Sequence, residues 1–240
     1  MIVEPFTPCR KCCKSPQPGF LVSGFGMVEC DCHKNWKKRE GDHLAFVQGG
    51  FNASLWSLED DYYRGNNPNH TRLQNFVKLF PENKEVRHCW IYIYGPNNTQ
   101  KTTTANWIGK KIIQAGYKAE YLLMKDLLDI LTDTMRDEND SRARVKQLQS
   151  RDVLIIDEAF AKDKLHLWQS GIQIGYIDSF LRECYSKGVC IIFISNIEIK
   201  DIESQGFSHS IASLVERTIK PAENDLLFDE SYDAPPRRLF

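Results

Sequence analysis

Short apolar runs alternate with longer segments of helical periodicity through most of the chain. Four runs, at residues 90–94, 119–124, 152–157 and 189–196, have the length and the apolar or aromatic content of β-strands. The third run reads Val-Leu-Ile-Ile between two aspartates, which suits a strand buried on both faces of a parallel sheet. The pattern therefore predicts an α/β domain in which helices flank a parallel sheet.

Helical periodicity marks the segments that connect these strands. In residues 71–80 the apolar side chains fall on one face, and Pro81 ends the pattern. The polar residues 132–140 predict a loop. The predicted helices lie at residues 71–80, 101–115, 127–131, in the second part of 160–187, and at 210–219.

The loop after the first strand carries candidate chemistry. The spacing from Gly95 to Lys101 and Thr102 is that of a P-loop, in which backbone N–H groups and a helix N-terminus cradle phosphates. Lys101 would reach the β- and γ-phosphates, and the Thr102 hydroxyl would hold Mg²⁺. Gln100 departs from the pattern, which has glycine before the lysine, and the alternative is a simple polar turn before a helix. The candidate nucleotide-binding residues are Gly95, Pro96, Asn97, Asn98, Thr99, Gln100, Lys101, Thr102 and Thr103.

Two acids end the third predicted strand. Asp157 and Glu158 stand at the carboxyl end of this strand, which is where ligands bind in parallel α/β sheets. Asp157 would complete the Mg²⁺ shell, and Glu158 would polarise an attacking water. Asn196 ends the next strand, where it would orient that water or touch the γ-phosphate, or else open a turn. The acids and the lysine loop together predict an ATP- and magnesium-dependent ATPase.

Length and composition set broad limits. A chain of 240 residues can hold one full α/β domain and a small accessory module. The net charge of −1 gives no general attraction to nucleic acid, so any such contact must come from local patches. No apolar run approaches the length of a membrane span and no signal-peptide pattern is present, so we expect a soluble cytoplasmic protein.

Five of the eight cysteines lie within residues 9–32. Two close pairs, Cys9 with Cys12 and Cys30 with Cys32, can place four thiolates around Zn²⁺ and replace the core that so short a segment cannot build. Glycines and apolar residues between the pairs suggest a small hairpin. Cys13 and His33 are the spare candidates, and reduced cysteines in a flexible arm are the alternative.

The organisation that follows has four parts. Residues 1–40 form the zinc-binding module, residues 41–70 a linker, residues 71–220 the ATPase domain, and residues 221–240 a flexible tail that cannot bury enough apolar surface to fold alone. A basic stretch within the ATPase domain is either a solvated helix face or a contact for nucleic-acid phosphates. Its candidate contact residues are Arg142, Arg144 and Lys146.

The order of these motifs resembles that of a known family. The loop from Gly95 to Thr102, the pair Asp157-Glu158, Asn196 and Arg217 look like the Walker A, Walker B, sensor 1 and arginine-finger elements of the AAA+ ATPases. The cysteine-rich module before the ATPase domain, and the shortness of the chain after Arg217, are similar to the DnaC-type helicase loaders of bacteria and phages. Those loaders lack the C-terminal helical lid of most AAA+ proteins.

The resemblance implies a function. It implies an ATP-dependent loader that binds a hexameric replicative helicase through the N-terminal module and places it on single-stranded DNA. It also implies self-association into a spiral or ring, with Arg217 reaching the ATP of the neighbouring subunit and Asn196 sensing the γ-phosphate. Two alternatives remain: a transposition helper ATPase, and an interaction module that binds nucleotide with little turnover because of Gln100.

Overall fold

The strands and helices follow the predicted alternation in a computed structural model, which describes residues 4–24, 26–57, 68–134, 139–161, 171–219 and 225–228. The strands are β1 (Phe20–Ser23), β2 (Gly26–Glu29), β3 (Ile91–Tyr94), β4 (Ala119–Leu123), β5 (Val153–Asp157), β6 (Cys190–Ser195) and β7 (Asp225–Leu227). The helices are α1 (Asp31–Gln48), α2 (Pro68–Leu79), α3 (Lys84–Arg87), α4 (Lys101–Gln114), α5 (Met124–Asp133), α6 (Asn139–Leu148), α7 (Gly171–Lys187) and α8 (His209–Ile219).

The larger sheet is parallel, as predicted, with the strand order β4-β5-β6-β3-β7. All of its strands therefore end at the same edge, and the registers decide which residues meet there. Leu123 of β4 lies opposite Asp157 of β5, and Tyr94 of β3 lies opposite Ser195 of β6. The antiparallel pair β1–β2 is the hairpin expected between the two cysteine pairs.

The core consists of two apolar layers, one on each face of the sheet. Alternation within each strand sends successive side chains to opposite layers: Leu154 and Ile156 join one layer, and Val153 and Ile155 the other. The first layer contains the buried faces of α5, α7 and α8, and the second contains those of α2 and α4. β5 and β6 have long apolar runs because both faces of these strands are covered.

The N-terminal module continues into the main domain through α1. This helix crosses the predicted boundary at residue 40, and Phe46 near its end is fully buried in the second core layer. The chain then turns through Gly50, whose positive φ of 82° and close approach to the Tyr121 carbonyl leave no room for a side chain. Phe46 and Phe51 thus anchor residues 41–57 in the second core layer, so this part of the predicted linker belongs to the folded domain. Residues 58–67 of that linker lie outside the described residues.

Residues 225–227 add an edge strand to the described sheet. β7 pairs with β3, the Phe228 N–H donates to the Tyr94 carbonyl at 2.7 Å, and Leu226 and Phe228 are buried. The prediction of a flexible tail is therefore wrong for residues 225–228, because Leu226 and Phe228 bury their side chains in the sheet's core. The other residues of the predicted tail, 221–224 and 229–240, lie outside the described part of the chain.

Two further observations concern the helices. The segment 132–140, predicted as a loop, is helical at both ends, where it belongs to α5 and α6. None of the helices that the structure describes is long and apolar enough to cross a bilayer.

Two glycines in helices give a matched test of this packing. A Cβ on Gly109 of α4 would overlap the Phe51 ring, so Gly109→Ala should lower the free energy of unfolding by about 1–3 kcal/mol. Gly175 of α7 has open space around it, so Gly175→Ala should raise the stability by about 0.5–1 kcal/mol through helix propensity alone. Urea unfolding of the two variants measures both values. Equal effects of the two substitutions would contradict the packing of Phe51 on α4.

Candidate active site and metal centre

The loop between β3 and α4 has a backbone suited to phosphate binding. Gly95 has a φ of 143°, and a Cβ there would overlap the Phe228 carbonyl oxygen, so only glycine fits. Asn98 and Gln100 also have positive φ values, 66° and 63°. Gln100 thus adopts the left-handed conformation for which glycine is usual, at a cost of roughly 1–2 kcal/mol. The backbone before Lys101 therefore has the conformation usual for glycine, although the residue there is glutamine.

The Lys101 ammonium lies inside this loop. It donates to the carbonyls of Gly95 at 2.8 Å and Pro96 at 2.5 Å, and to the Thr99 hydroxyl at 3.3 Å. The side chain is only 7% exposed. Burial lowers the pKa of Lys101, and the charge of Asp157 opposes that shift. Phosphate oxygens would be stronger acceptors for this ammonium than the carbonyls that it now contacts.

Asp157 joins the loop to the acidic strand end. Its Oδ2 accepts hydrogen bonds from the Thr102 hydroxyl at 2.7 Å and from the Tyr121 hydroxyl at 2.6 Å. Its Oδ1 accepts the Glu158 N–H at 2.7 Å. Thr102 and Asp157 are 55 residues apart in sequence, and their contact creates the paired hydroxyl and carboxylate that Mg²⁺ requires in P-loop sites.

Tyr121 is a site residue that sequence analysis missed. Burial, with the nearby Asp157 charge, raises the pKa of its hydroxyl, so the tyrosine stays protonated and donates to the carboxylate. The available signal was a hydroxyl-bearing residue inside the predicted second strand, two positions before its end at Leu123. That position alone does not reveal the partner, because the carboxylate comes from the neighbouring strand.

Glu158 sits in a constrained turn directly after β5. Its φ is 53°, and the turn is tied to β6 by a hydrogen bond from the Ala159 N–H to the Ile194 carbonyl at 2.8 Å. The Ser195 hydroxyl donates to the Ala159 carbonyl at 2.7 Å and fixes the same turn. The backbone of the candidate base is thus held at the carboxyl edge of the sheet, beside Asp157.

Asn196 is exposed and follows β6 directly. Since Tyr94 and Ser195 are register partners, Asn196 continues β6 next to Gly95, where the phosphate loop starts. The structure therefore brings Lys101, Thr102, Asp157, Glu158 and Asn196 to the same edge of the sheet.

Arg217 is not part of this cluster within one chain. It lies exposed in the last turn of α8, and the structure gives it no ion pair with a described residue. The buried face of α8 is formed by Ile211, Leu214, Val215 and Ile219. The Arg217 side chain is thus exposed on the surface of the described fold.

The basic stretch on α6 is partly structural. Arg144 pairs with Glu120 of β4, and the Arg151 Nε donates to the same carboxylate at 2.7 Å. Glu120 is 1% exposed, so it needs both arginines to offset the cost of its burial. Arg144 therefore has a role within the fold, and the assignment of Arg142, Arg144 and Lys146 to nucleic-acid contacts stays a prediction.

Four cysteines form a second candidate centre in the N-terminal module. The sulfurs of Cys9, Cys12, Cys30 and Cys32 all lie within 4.8 Å of one another. The sulfur–sulfur distances are 3.8 Å for Cys9–Cys12, 3.7 Å for Cys9–Cys30 and 3.4 Å for Cys12–Cys32. A tetrahedral zinc with bonds of about 2.3 Å separates its sulfur ligands by about 3.8 Å, so this set fits Zn²⁺.

Local backbone structure explains the ligand choice. The N–H groups of Cys12 and Cys13 donate to the Cys9 carbonyl, which closes the first turn, and Cys30 is the N-cap of α1. The backbone N–H groups of Cys12 and then Lys11 lower the pKa of the Cys9 thiol to about 6, which favours the thiolate that binds metal. Both spare candidates lie elsewhere: Cys13 is exposed and donates to the Arg10 carbonyl, and His33 pairs with Glu29 at 2.9 Å.

Solved structures share this fold. The DnaC helicase loader has a TM-score of 0.57 at 19% identity, over 73% of this chain and 98% of the loader chain. A putative primosome component from Streptococcus pyogenes serotype M3 has a TM-score of 0.56 at 13% identity, over 80% and 98% of the two chains. The replication initiator DnaA bound to AMPPCP and single-stranded DNA has a TM-score of 0.52 at 17% identity, over 69% of this chain.

This chain covers 46% of that DnaA chain, so it spans about half of the initiator's length. No protein-family model matches the sequence, and no curated protein matches it significantly. At these identities the likeness establishes the fold alone, a parallel sheet flanked by helices. In this chain the sheet is preceded by a module with four clustered cysteines. The predicted fold class is confirmed.

The cysteine set can be tested by serine substitutions. Purified wild-type protein should contain about one zinc ion per chain, and Cys12→Ser should lose it, because Cys12 is a fully buried member of the cluster. Elemental analysis of the purified variants measures the metal content. Cys13→Ser is the matched control and should keep its zinc. Equal zinc loss in both variants, or a wild-type protein that takes up no zinc, would contradict the assignment.

Proposed function

We propose that this protein is an ATP-dependent loader that binds a hexameric replicative DNA helicase and places it on single-stranded DNA. The observation that carries the proposal is the contact between Thr102 and Asp157, which assembles a magnesium-type site in a chain with the fold of the DnaC helicase loader. The AMPPCP-bound DnaA structure, which has the same fold, supports ATP as the nucleotide. Such a loader acts in the cytoplasm of a bacterial cell, whether the host or a phage encodes it.

In this proposal each residue of the sheet edge has a role in hydrolysis. Lys101 and the N–H groups at the start of α4 hold the phosphates, and Thr102 with Asp157 holds Mg²⁺. Glu158 accepts a proton from the attacking water, and Asn196 orients that water or the γ-phosphate. The exposed Arg217 supports a site completed by a second subunit, because it has no ion-pair partner in the described fold.

The N-terminal module is the proposed helicase contact. Its hairpin exposes three apolar side chains, Val22 at 69%, Met27 at 47% and Val28 at 51%. Exposed apolar residues grouped on a small rigid module are typical of protein-binding sites. Arg142 and Lys146 on α6 are the proposed DNA contacts, in an assembly of subunits arranged as a spiral or ring.

A second candidate is a nucleotide-binding switch with little turnover. The observation that favours it is Gln100, which places a long side chain and a left-handed backbone directly before Lys101. ATP hydrolysis indistinguishable from that of Glu158→Gln, with single-stranded DNA present, would favour this candidate.

The loader function can be tested on closed circular single-stranded DNA, which has no end for a helicase ring to thread. The protein with ATP should let the cognate helicase displace an annealed oligonucleotide from the circle, and the partner helicase is identified by pull-down from the native cell. Lys101→Ala should abolish loading because it removes the phosphate-binding ammonium. Glu158→Gln should bind ATP normally and lose hydrolysis, since only the base is removed. Glu82→Gln, an exposed acid after α2, is the matched control.

Recovery of a transposase instead of a helicase in the pull-down would support the transposition-helper alternative. If the Lys101→Ala variant loads the helicase as well as the wild type does, the proposed ATP dependence is contradicted.

Arg217 gives a separate prediction about assembly. Arg217→Ala should bind ATP like the wild type but lose ATP-driven self-association, because the arginine can favour the assembled state only by a contact that is present in that state. Sedimentation or light scattering with and without ATP measures this change, and Arg72→Ala on α2 serves as an exposed control. Unchanged assembly of Arg217→Ala would remove the residue from this role.

A further inference from the structure

A closed series of hydrogen bonds connects the magnesium-type site to the N-terminal part of the chain. On one side the Tyr121 hydroxyl donates to Asp157, while the Tyr121 N–H donates to the Gly49 carbonyl at 2.8 Å. Gly49 follows directly on α1 and caps its end. One residue of β4 therefore contacts both the candidate magnesium ligand and the exit of the helix that begins at the cysteine cluster.

The other side of the series runs through Asn106 in α4. This side chain is 2% exposed, its Oδ1 accepts the Asn52 N–H at 2.8 Å, and its Nδ2 donates to the Thr102 carbonyl at 2.8 Å. Thr102 closes the circle through its hydroxyl on Asp157. The segment 49–52 is thus bonded to both members of the Thr102–Asp157 pair, through Tyr121 and through Asn106.

Packing keeps this segment in place. The Phe51 ring stacks on Phe46 of α1 with 4.7 Å between centroids and lies 5.9 Å from the Tyr121 ring. It also fills the space left by Gly109 on α4, where a side chain would clash. The segment is therefore held between α1, α4 and β4 and cannot shift without moving its bonded partners.

The hydrogen bonds to the Asp157 carboxylate indicate that Tyr121 orients it. A carboxylate offers about four acceptor positions, and the described donors fill two on Oδ2 and one on Oδ1. Tyr121 saturates Oδ2 together with Thr102 and so fixes the rotation of the carboxylate. The remaining acceptor position is then on Oδ1, ready for the magnesium shell.

We propose that Tyr121 and Asn106 are positioning residues that fix the Thr102–Asp157 pair for magnesium and tie it to segment 49–52 at the end of α1. The inference rests on the proposed nucleotide site and adds to it a physical link to the cysteine module. By linkage, magnesium–nucleotide binding stabilises the segment, and any partner that displaces the segment weakens magnesium binding by the same factor.

The test compares two tyrosines that each lose a single hydroxyl. Tyr121→Phe removes the hydroxyl that donates to Asp157. Tyr117→Phe, in the loop that precedes β4, removes a hydroxyl that donates to the Pro81 carbonyl at 3.0 Å. Binding of the non-hydrolysable analogue AMPPCP is titrated with Mg²⁺ and, separately, measured in EDTA. Tyr121→Phe should raise the half-saturating Mg²⁺ concentration roughly tenfold, which equals about 1.4 kcal/mol, with EDTA binding unchanged. Tyr117→Phe should behave like the wild type.

A second measurement reads the other end of the link. Hydrogen exchange of the Asn52 amide, which is bonded to Asn106, should slow severalfold when magnesium and AMPPCP bind to the wild-type protein. The slowing should be smaller in Tyr121→Phe. This readout distinguishes positioning from simple loss of stability, which would speed exchange with and without ligand.

The outcomes separate the two proposals. A wild type that binds no magnesium–AMPPCP would overturn the proposed function and this inference together. Normal wild-type binding with a Tyr121→Phe titration within twofold of the wild type, or tighter, would overturn the positioning role alone. An Asn52 amide that exchanges equally with and without ligand would overturn the link to the N-terminal segment.

Discussion

Asp157 accepts hydrogen bonds from three parts of the chain, and the candidate active site depends on that convergence. The donors are the hydroxyl that starts α4, the hydroxyl in the middle of β4 and the N–H of the next residue. Hydrogen bonds to a charged group contribute about 1.5–3 kcal/mol each, more than neutral ones. A carboxylate that is only 6% exposed needs such partners. The same bonds that satisfy the buried charge therefore aim it at the phosphate loop.

The parallel sheet makes this convergence possible. Because β3, β5 and β6 run in one direction and are hydrogen-bonded side by side, Gly95, Glu158 and Asn196 all emerge at one edge. Two apolar layers cover the sheet and make its strands rigid, so residues at the edge are held by the core beneath them. Irregular backbone is concentrated here, with positive φ at Asn98, Gln100, Glu158 and Phe160. Strain of this kind persists only where the surrounding structure fixes it.

The N-terminal module is connected to the candidate site by a continuous helix and by hydrogen bonds. A single helix leads from the cysteine cluster to the second core layer, and the chain that follows is bonded to α4 and β4. This arrangement fits the proposed function, in which nucleotide binding at the sheet edge and partner binding by the N-terminal module influence each other. A zinc ion held by the four cysteines would stabilise the hairpin, which has little apolar core of its own.

Much of the fold was predictable because its signals are local. The strands at residues 90–94, 119–124, 152–157 and 189–196 were placed within one or two residues, since alternation and unbroken apolar runs report burial directly. The four cysteines cluster as predicted, because their spacing is set by two short turns. β7 was missed since its three residues form a strand only by pairing with β3. The ion pair of Arg144 with Glu120 was missed because nothing near Arg144 in the sequence reveals that buried carboxylate.

Local patterns of residue types were enough to predict the parallel α/β architecture, the turn between β3 and α4, the acidic strand end and the clustering of four cysteines. Each of these is a pattern of residue types over a short stretch, where backbone geometry fixes what neighbouring residues can do. Contacts between distant parts of the chain bring Tyr121 and Asn106 to the candidate site, pair Arg144 with Glu120, and bond segment 49–52 to residues that contact Thr102 and Asp157. Those contacts join residues far apart in the chain, and their partners are chosen by strand order and register, which no local pattern encodes.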